Sequence, residues 1–144
     1  MFERYTEKAK RTIYFGFREA SEFGSPCIES EHLLLGLLRE DKSLANAFLH
    51  SHAAVESIRK QVEGNTVIRE RVPTSVDMPL STECRRILIY AADEAEKLSH
   101  KFIGTEHLFL GVLREQDCFA ASLLRECGIS LEMARQQIRT PSPE

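Results

Sequence analysis

The sequence predicts an all-α fold: two four-helix repeats, eight helices in all, related by a pseudo-twofold axis and closed into one compact domain. Three observations carry that expectation. A twelve-residue string is used twice, ESEHLLLGLLRE at residues 29–40 and GTEHLFLGVLRE at residues 104–115, with eight of twelve positions identical. One offset relates the copies, since His107 minus His32 is 75. The same offset pairs Thr6 with Ser81, Arg11 with Arg86, Ile13 with Leu88, Ala20 with Ala95, Ala45 with Ala120 and Leu49 with Leu124. Within each copy, apolar residues recur at three- and four-residue steps, the period of an amphipathic helix. Two copies are too few for an open solenoid, where stacking needs at least about three. A pair can instead close on itself and bury both apolar faces.

The first helix of each repeat follows a hydroxyl cap. Thr6 precedes a stripe of Ala9, Ile13, Phe17 and Ala20, and Gly24 with Pro26 ends it. Ser81 precedes Cys84, Ile87, Leu88, Ala91, Ala92, Ala95 and Leu98, with Glu83 in the first turn. The duplicated string is the second helix. Ser30 and Thr105 are its expected caps, with Glu31 and Glu106 at the first helical position. Leu33, Leu34, Leu37 and Leu38 form a wide buried face. Gly36 and Gly111 share a mid-helix slot where glycine costs about 1 kcal/mol relative to alanine, so a second helix crossing closely is the expected compensation. Two short helices follow in each repeat, near 43–50 and 53–63, then 118–126 and 130–138, the later ones aligning after a one-residue slip (Val55 with Leu131, Val62 with Ile138).

These elements divide the chain into a first repeat at 1–63, a linker at 64–80, a second repeat at 81–139 and a tail at 140–144. The linker GNTVIRERVPTSVDMPL is long for a compact domain. It reads as a crossover between repeats rather than a partner-binding loop.

Composition narrows the function. The chain has 144 residues, 42% hydrophobic and 28% charged, room enough for a packed core. A net charge of −3 argues against nucleic acid or an anionic membrane as partner. The nearly apolar run Leu33 to Leu38 is far too short to span a bilayer, and the charged start MFERYTEKAKR is unlike a secretory signal. The expected location is therefore cytoplasmic. Cys27, Cys84, Cys118 and Cys127 form no CxxC pair and read as free thiols packed as small buried residues.

TEKAKR near the start and (S/T)EHLxLGxLRE used twice, each copy preceded by an amphipathic helix, resemble the N-terminal repeat domain of Clp/Hsp100 AAA+ unfoldases, nearest the ClpC type. The resemblance covers about residues 2–139. It implies a non-catalytic domain above an ATPase ring that receives adaptor proteins and unfolded clients. It also implies a partnership, through the full-length parent, with the ring and a ClpP-type protease in protein quality control. Some ClpC-type members bind proteins phosphorylated on arginine. Two departures stand out: ESEH in the first copy where the second has GTEH, and HSHAAVES at 50–57 in place of the turn kept as CGISL at 127–131. No GxxxxGK(S/T) loop is present, so this chain is not itself the motor. The alternative is a stand-alone regulatory binding protein on the same fold.

Two readings of the duplicated helix start remain open. Glu31 and Glu106 suit the positive end of a helix dipole, worth about 0.3–1 kcal/mol each. With Ser30 and Thr105 they also suit phosphoarginine: a carboxylate takes the guanidinium and backbone N–H groups take the phosphoryl oxygens. His32 and His107 read as packed residues bonded to a backbone carbonyl rather than metal ligands, because no carboxylate or cysteine spacing accompanies them. No cofactor is expected. A small hydrolase built on His32 or His107 is disfavoured, since no nucleophile accompanies them in a recognisable motif. Phe15, Phe17, Phe23, Phe48 and Phe119 are many aromatics for this core, and an apolar groove between repeats is a second candidate docking surface.

Overall fold

The computed structural model describes residues 2–139; the TPSPE tail lies outside the described residues. Among them are eight helices: α1 (Glu7–Phe23), α2 (Ser30–Glu40), α3 (Lys42–Leu49), α4 (His52–Asn65), α5 (Thr82–Lys97), α6 (Thr105–Arg114), α7 (Phe119–Glu126) and α8 (Leu131–Arg139). α4 runs two residues past position 63, so the segment between the repeats begins at Thr66.

Local chemistry sets the ends of α1 and α5. The Thr6 and Ser81 hydroxyls accept from the Ala9 and Cys84 backbone N–H groups, each at 3.1 Å. At the other end Gly24 (φ 71) and its counterpart Ser99 (φ 59) take the left-handed conformation. That turn lets Ser25 and His100 donate back to the Ala20 and Ala95 carbonyls, each at 2.9 Å.

In each repeat the first and second helices cross closely. A Cβ on Gly36 would lie 2.5 Å from the Thr12 carbonyl oxygen of α1, and one on Gly111 would lie 2.4 Å from the Ile87 carbonyl oxygen of α5. Glycine at both positions lets the paired backbones touch.

The two repeats interlock reciprocally. Tyr5, just before α1, pairs with Ile103, just before α6; Leu80, before α5, pairs with Ile28, before α2. Thr6 N–H donates to the Ile103 carbonyl at 2.9 Å, and Ser81 N–H donates to the Ile28 carbonyl at 2.9 Å. The core lies between the repeats, with Leu33, Leu34, Leu37, Leu108, Phe109 and Leu110 almost fully buried. Phe48 of α3 packs on Phe109 of α6 with ring centroids 4.5 Å apart.

The segment after α4 lies along the end of α1. Arg69 and Val72 donate to the Phe23 and Ser21 carbonyls, each at 3.0 Å. Val67, Ile68 and Val76 in this segment are exposed. Phe23 and Phe48 are buried, while Phe15, Phe17 and Phe119 are half-buried. The exposed large apolar side chains on the helices are instead Tyr14, Ile89 and Met133, with Phe102 in the loop before α6.

All four cysteines are free. Cys84 and Cys118 are buried, and burial pushes the Cys84 thiol up to about 12. Cys27 is half-buried and Cys127 is exposed, contrary to the expectation of four buried residues: Cys27 lies in the loop before α2, and Cys127 lies at the end of α7.

Candidate functional site

The starts of α2 and α6 sit at pseudo-equivalent places, each facing the opposite repeat. Their caps differ from expectation by one position: Glu29 and Gly104 are the N-caps, and Ser30 and Thr105 are the first helical residues. Glu31 and Glu106 are therefore second. The reason lies in His32 and His107, each at the third helical position. Glu29 N–H donates to His32 Nδ1 at 3.0 Å, and Gly104 N–H donates to His107 Nδ1 at 2.9 Å. Each imidazole satisfies the cap backbone from inside the helix, as the carboxylate does in a capping box. The histidines accept from a backbone N–H rather than donate to a carbonyl, which corrects the expectation.

With the caps satisfied this way, the hydroxyls reach across to the other repeat. Ser30 Oγ accepts from Ala120 N–H of α7 at 3.3 Å. Thr105 Oγ1 donates to Asp41 Oδ2 at 2.6 Å, while Asp41 Oδ1 caps α3 by accepting from Leu44 N–H at 3.0 Å. Each second helix thus abuts the N-terminus of the third helix of the opposite repeat. Both hydroxyls are buried, so they position the helix starts and are not free donors.

The histidines part company on their far sides. Because His107 Nδ1 accepts from Gly104, its proton is on Nε2, which lies 2.8 Å from His100 Nδ1. His100 is left with its proton on its outer nitrogen. Burial first, then His100, lowers the His107 pKa. His32 stacks on Phe23 at 5.6 Å between centroids, and its buried Nε2 has no partner. Burial lowers its pKa to about 4. Each histidine is thus engaged within its own repeat.

The carboxylates remain nearer to solvent. The Glu106 side chain is 43% exposed and folds over its own cap, so that a Cβ on Gly104 would collide with its Oε1. Glu31 receives a long 3.4 Å bond from the Ser30 hydroxyl. Burial raises its pKa, and the neighbouring Glu29 and Glu83 add to the rise. Around Glu106 a cavity of ≈ 540 Å³ opens between the repeats, lined by Lys8, Ser43, His100, Thr105 and Arg139 among others. Lys8, Asp41 and His100 belong to this site although sequence reading did not single them out. No local spacing in the sequence signals them, because they come to Glu106 from separate elements.

The repeated LRE ends are bound to their neighbouring helices. Arg39 and Arg114 stack over Phe15 and Tyr90, each 4.4 Å from the ring centroid. Glu40 pairs with Arg11 at 2.6 Å, and Glu115 pairs with Arg86. His50 is exposed and ends α3 at φ 63, and His52 opens α4.

A duplicated helical unit, closed by reciprocal pairing between its halves, defines a class of small all-α repeat modules. The family model described as Clp repeat (R) N-terminal domain matches residues 4–127 and 79–142, and the chain belongs to that family. It is 37% identical over 139 residues to the negative regulator of genetic competence ClpC/MecB of Bacillus subtilis, covering 96% of this chain and 17% of that protein. It is 36% identical over 139 residues to the chaperone ClpB of Oceanobacillus iheyensis, again covering 96% of this chain and 17% of that protein. Among solved structures, the N-terminal domain of the ClpD chaperone from Arabidopsis thaliana matches with TM-score 0.76 at 29% identity, over 94% of this chain and 92% of that one. The N-terminal domain of Hsp104 from Candida albicans shares the fold with TM-score 0.73 at 16% identity, over 94% and 89% of the two chains. The chain thus spans about a sixth of the length of these curated relatives. Among the described residues, no helix is long and apolar enough to cross a membrane.

Proposed function

We propose that this chain is a docking module that presents adaptor proteins and unfolded or arginine-phosphorylated clients to a Clp-type ATPase ring and its ClpP-type protease. The observation that carries the phosphoarginine reading is the second helical position, filled by Glu31 and Glu106 at two pseudo-equivalent helix starts. A carboxylate there lies beside the backbone N–H groups of the first turn. It offers a fork for a guanidinium, while the N–H groups suit phosphoryl oxygens. Binding is reversible and the chain breaks no bond. In a ¹⁵N–¹H titration, free phosphoarginine is expected to shift amides at one or both of residues 29–33 and 104–108. A double variant, Glu31→Ala with Glu106→Ala, is expected to lose the effect. Parent-like binding by the double variant sinks the reading.

The ring and protease enter through a larger parent chain. An immunoblot of source-cell lysate with antibody to this domain is expected to show a band several times its mass. A band at the mass of this chain alone supports the stand-alone regulator instead.

A further inference from the structure

The two repeats differ in charge beside their LRE ends. In the second repeat Arg114 is closed off by two carboxylates, Asp93 at 2.6 Å and Glu94 at 2.9 Å, and Lys97 adds a contact to Asp93 at 3.1 Å. In the first repeat Arg39 reaches Glu19 at 3.9 Å, because Arg59 holds both oxygens of that carboxylate. The 75-residue offset places Arg18 where Asp93 stands. Arg18 donates to the Tyr14 hydroxyl at 3.2 Å, its buried Nε has no partner among the described residues, and Glu22, one turn on, reaches it through its field. Rings link the two arginines. Arg18 lies 5.9 Å from the Tyr14 centroid, Tyr14 lies 5.7 Å from Phe15, and Arg39 covers Phe15 at 4.4 Å. Tyr14 is 50% exposed and the Arg39 side chain 47%.

Arg39 and Arg59 also rim a cavity of ≈ 240 Å³ between α2, α3 and α4, with Lys42 beside them and Leu35, Leu38 and Val55 lining it. Among the described residues its one carboxylate is Glu56, 3.6 Å from His52. At the corresponding place in the second repeat a cavity is lined by Asp117, where Lys42 stands in the first. At positions 18, 19, 39, 42, 56 and 59 the first repeat carries four cations and two carboxylates, a net +2. Their counterparts Asp93, Glu94, Arg114, Asp117, Glu132 and Arg135 are two cations and four carboxylates, a net −2.

We propose that this face of the first repeat docks an acidic segment of a partner protein, with its carboxylates on Arg18, Arg39 and Lys42 and an apolar side chain in the groove between α2 and α4. The face lies at the far end of α2 from Glu31 and shares no residue with the phosphoarginine reading, so neither depends on the other. A planar guanidinium stacks on a ring and still presents donors at its edge. Arg18 and Arg39 both sit over rings in this way, which holds them in place before a partner arrives. Arg39 keeps donors that Glu19 does not use, and a carboxylate accepts from them in fork geometry. Exposed ion pairs are worth little singly, so part of the affinity comes from an apolar side chain buried against Leu35, Leu38 and Val55. A nucleic-acid strand fits less well, because the overall charge of −3 opposes a polyanion. In the second repeat, Asp93 and Asp117 stand where Arg18 and Lys42 receive the segment, and like charges repel it.

The test is fluorescence anisotropy of the full chain with a labelled peptide of alternating Glu and Leu, against the same peptide with Gln for Glu, and ¹⁵N–¹H NMR to locate the site. Saturable binding is expected, with shifts at 14–18, 35–42 and 52–59, and it weakens as salt is raised. The Gln peptide is expected to bind roughly tenfold more weakly. Arg18→Asp imports the residue that the second repeat carries at this position. Lys42→Glu puts an acid in the first turn of α3, where the helix dipole favours it. Thermal melts of both variants should match the parent, and each is expected to weaken binding roughly threefold or more. Equal binding of the two peptides, parent-like binding by both variants, or shifts confined to the second repeat overturns the proposal. Tighter binding of a short oligo-dT at the same face overturns it as well. None of these outcomes touches the phosphoarginine reading, whose signal lies at 29–33 and 104–108.

Discussion

Arg59 of α4 grips Glu19 of α1 with both ends of its guanidinium, at 3.0 and 2.9 Å. The second repeat reproduces the grip with Arg135 of α8 on Glu94 of α5, at 3.0 and 2.8 Å. Glu19 and Glu94 are both 3% exposed, and each also faces the arginine of the LRE end, Arg39 or Arg114. One buried carboxylate thus ties the first, second and fourth helix of each repeat. Burial pushes the Glu94 carboxyl up, but Arg135 and Arg114 outweigh it and hold it below the usual range. The arginines keep solvent contact, so the cost of breaking the set falls below that of a fully buried pair. Glu94→Ala is expected to destabilise the domain by about 2–3 kcal/mol in urea unfolding. A loss under about 0.5 kcal/mol would show the last helix to be held by apolar packing alone.

The helix crossings give a contrast between glycines. Gly111→Ala gains helix propensity but drives a methyl into the Ile87 carbonyl at 2.4 Å, so α5 and α6 must separate. A net loss of about 2–4 kcal/mol is expected. Gly64→Ala, near the end of α4, meets nothing within 4 Å. It is expected to gain about 0.5–1 kcal/mol. Thermal melts of the two variants should move in opposite directions.

Acid should unfold the domain in two overlapping windows. His32 is held neutral by burial, with its pKa lowered from 6.5 to about 4. The unfolded chain therefore binds more protons than the folded one between those values. The stability His32 contributes is complete above pH 6.5 and falls as the pH drops toward 4. That loss amounts to up to about 3 kcal/mol. His107 is shifted the same way and adds to it. Glu94 adds a second loss below its ordinary value of 4.5, as protonation breaks the arginine set. His32→Gln should flatten the upper window in urea midpoints measured from pH 7 to 4. An unchanged slope would remove His32 from the account.

Thr105 and Asp41 join the repeats through a buried bond of 2.6 Å. Thr105→Val keeps the shape and strands one carboxylate oxygen. A cost of about 1.5–3 kcal/mol is expected, typical of a bond to a charged group. Hydrogen exchange should quicken at Leu44, whose N–H relies on the other oxygen of Asp41. Unchanged exchange there would place the cost elsewhere.

Much of this architecture is legible in the residues. The offset of 75, the hydroxyl caps Thr6 and Ser81 and the three-and-four stripes suffice for eight helices in two repeats, because each depends on neighbours within a few turns. The mid-helix glycines are legible for the same reason, as a local cost that asks for a remote cause. The cap residues of α2 and α6 are misread by one position because a histidine inside the helix, rather than a hydroxyl before it, meets the cap N–H. Periodicity does not record which side chain wins that bond.

By itself the sequence determined the family, the helices and the duplication, which rest on short-range spacing and on a motif repeated whole. Tertiary structure alone decided that Tyr5 pairs with Ile103 and Leu80 with Ile28, so that each repeat completes the other. It alone brought Lys8, His100 and Arg139 around Glu106. Those residues lie on separate elements, far apart in the chain. Their meeting is set by how two apolar faces close, and the same closure leaves the pseudo-equivalent carboxylate Glu31 among others of its own charge.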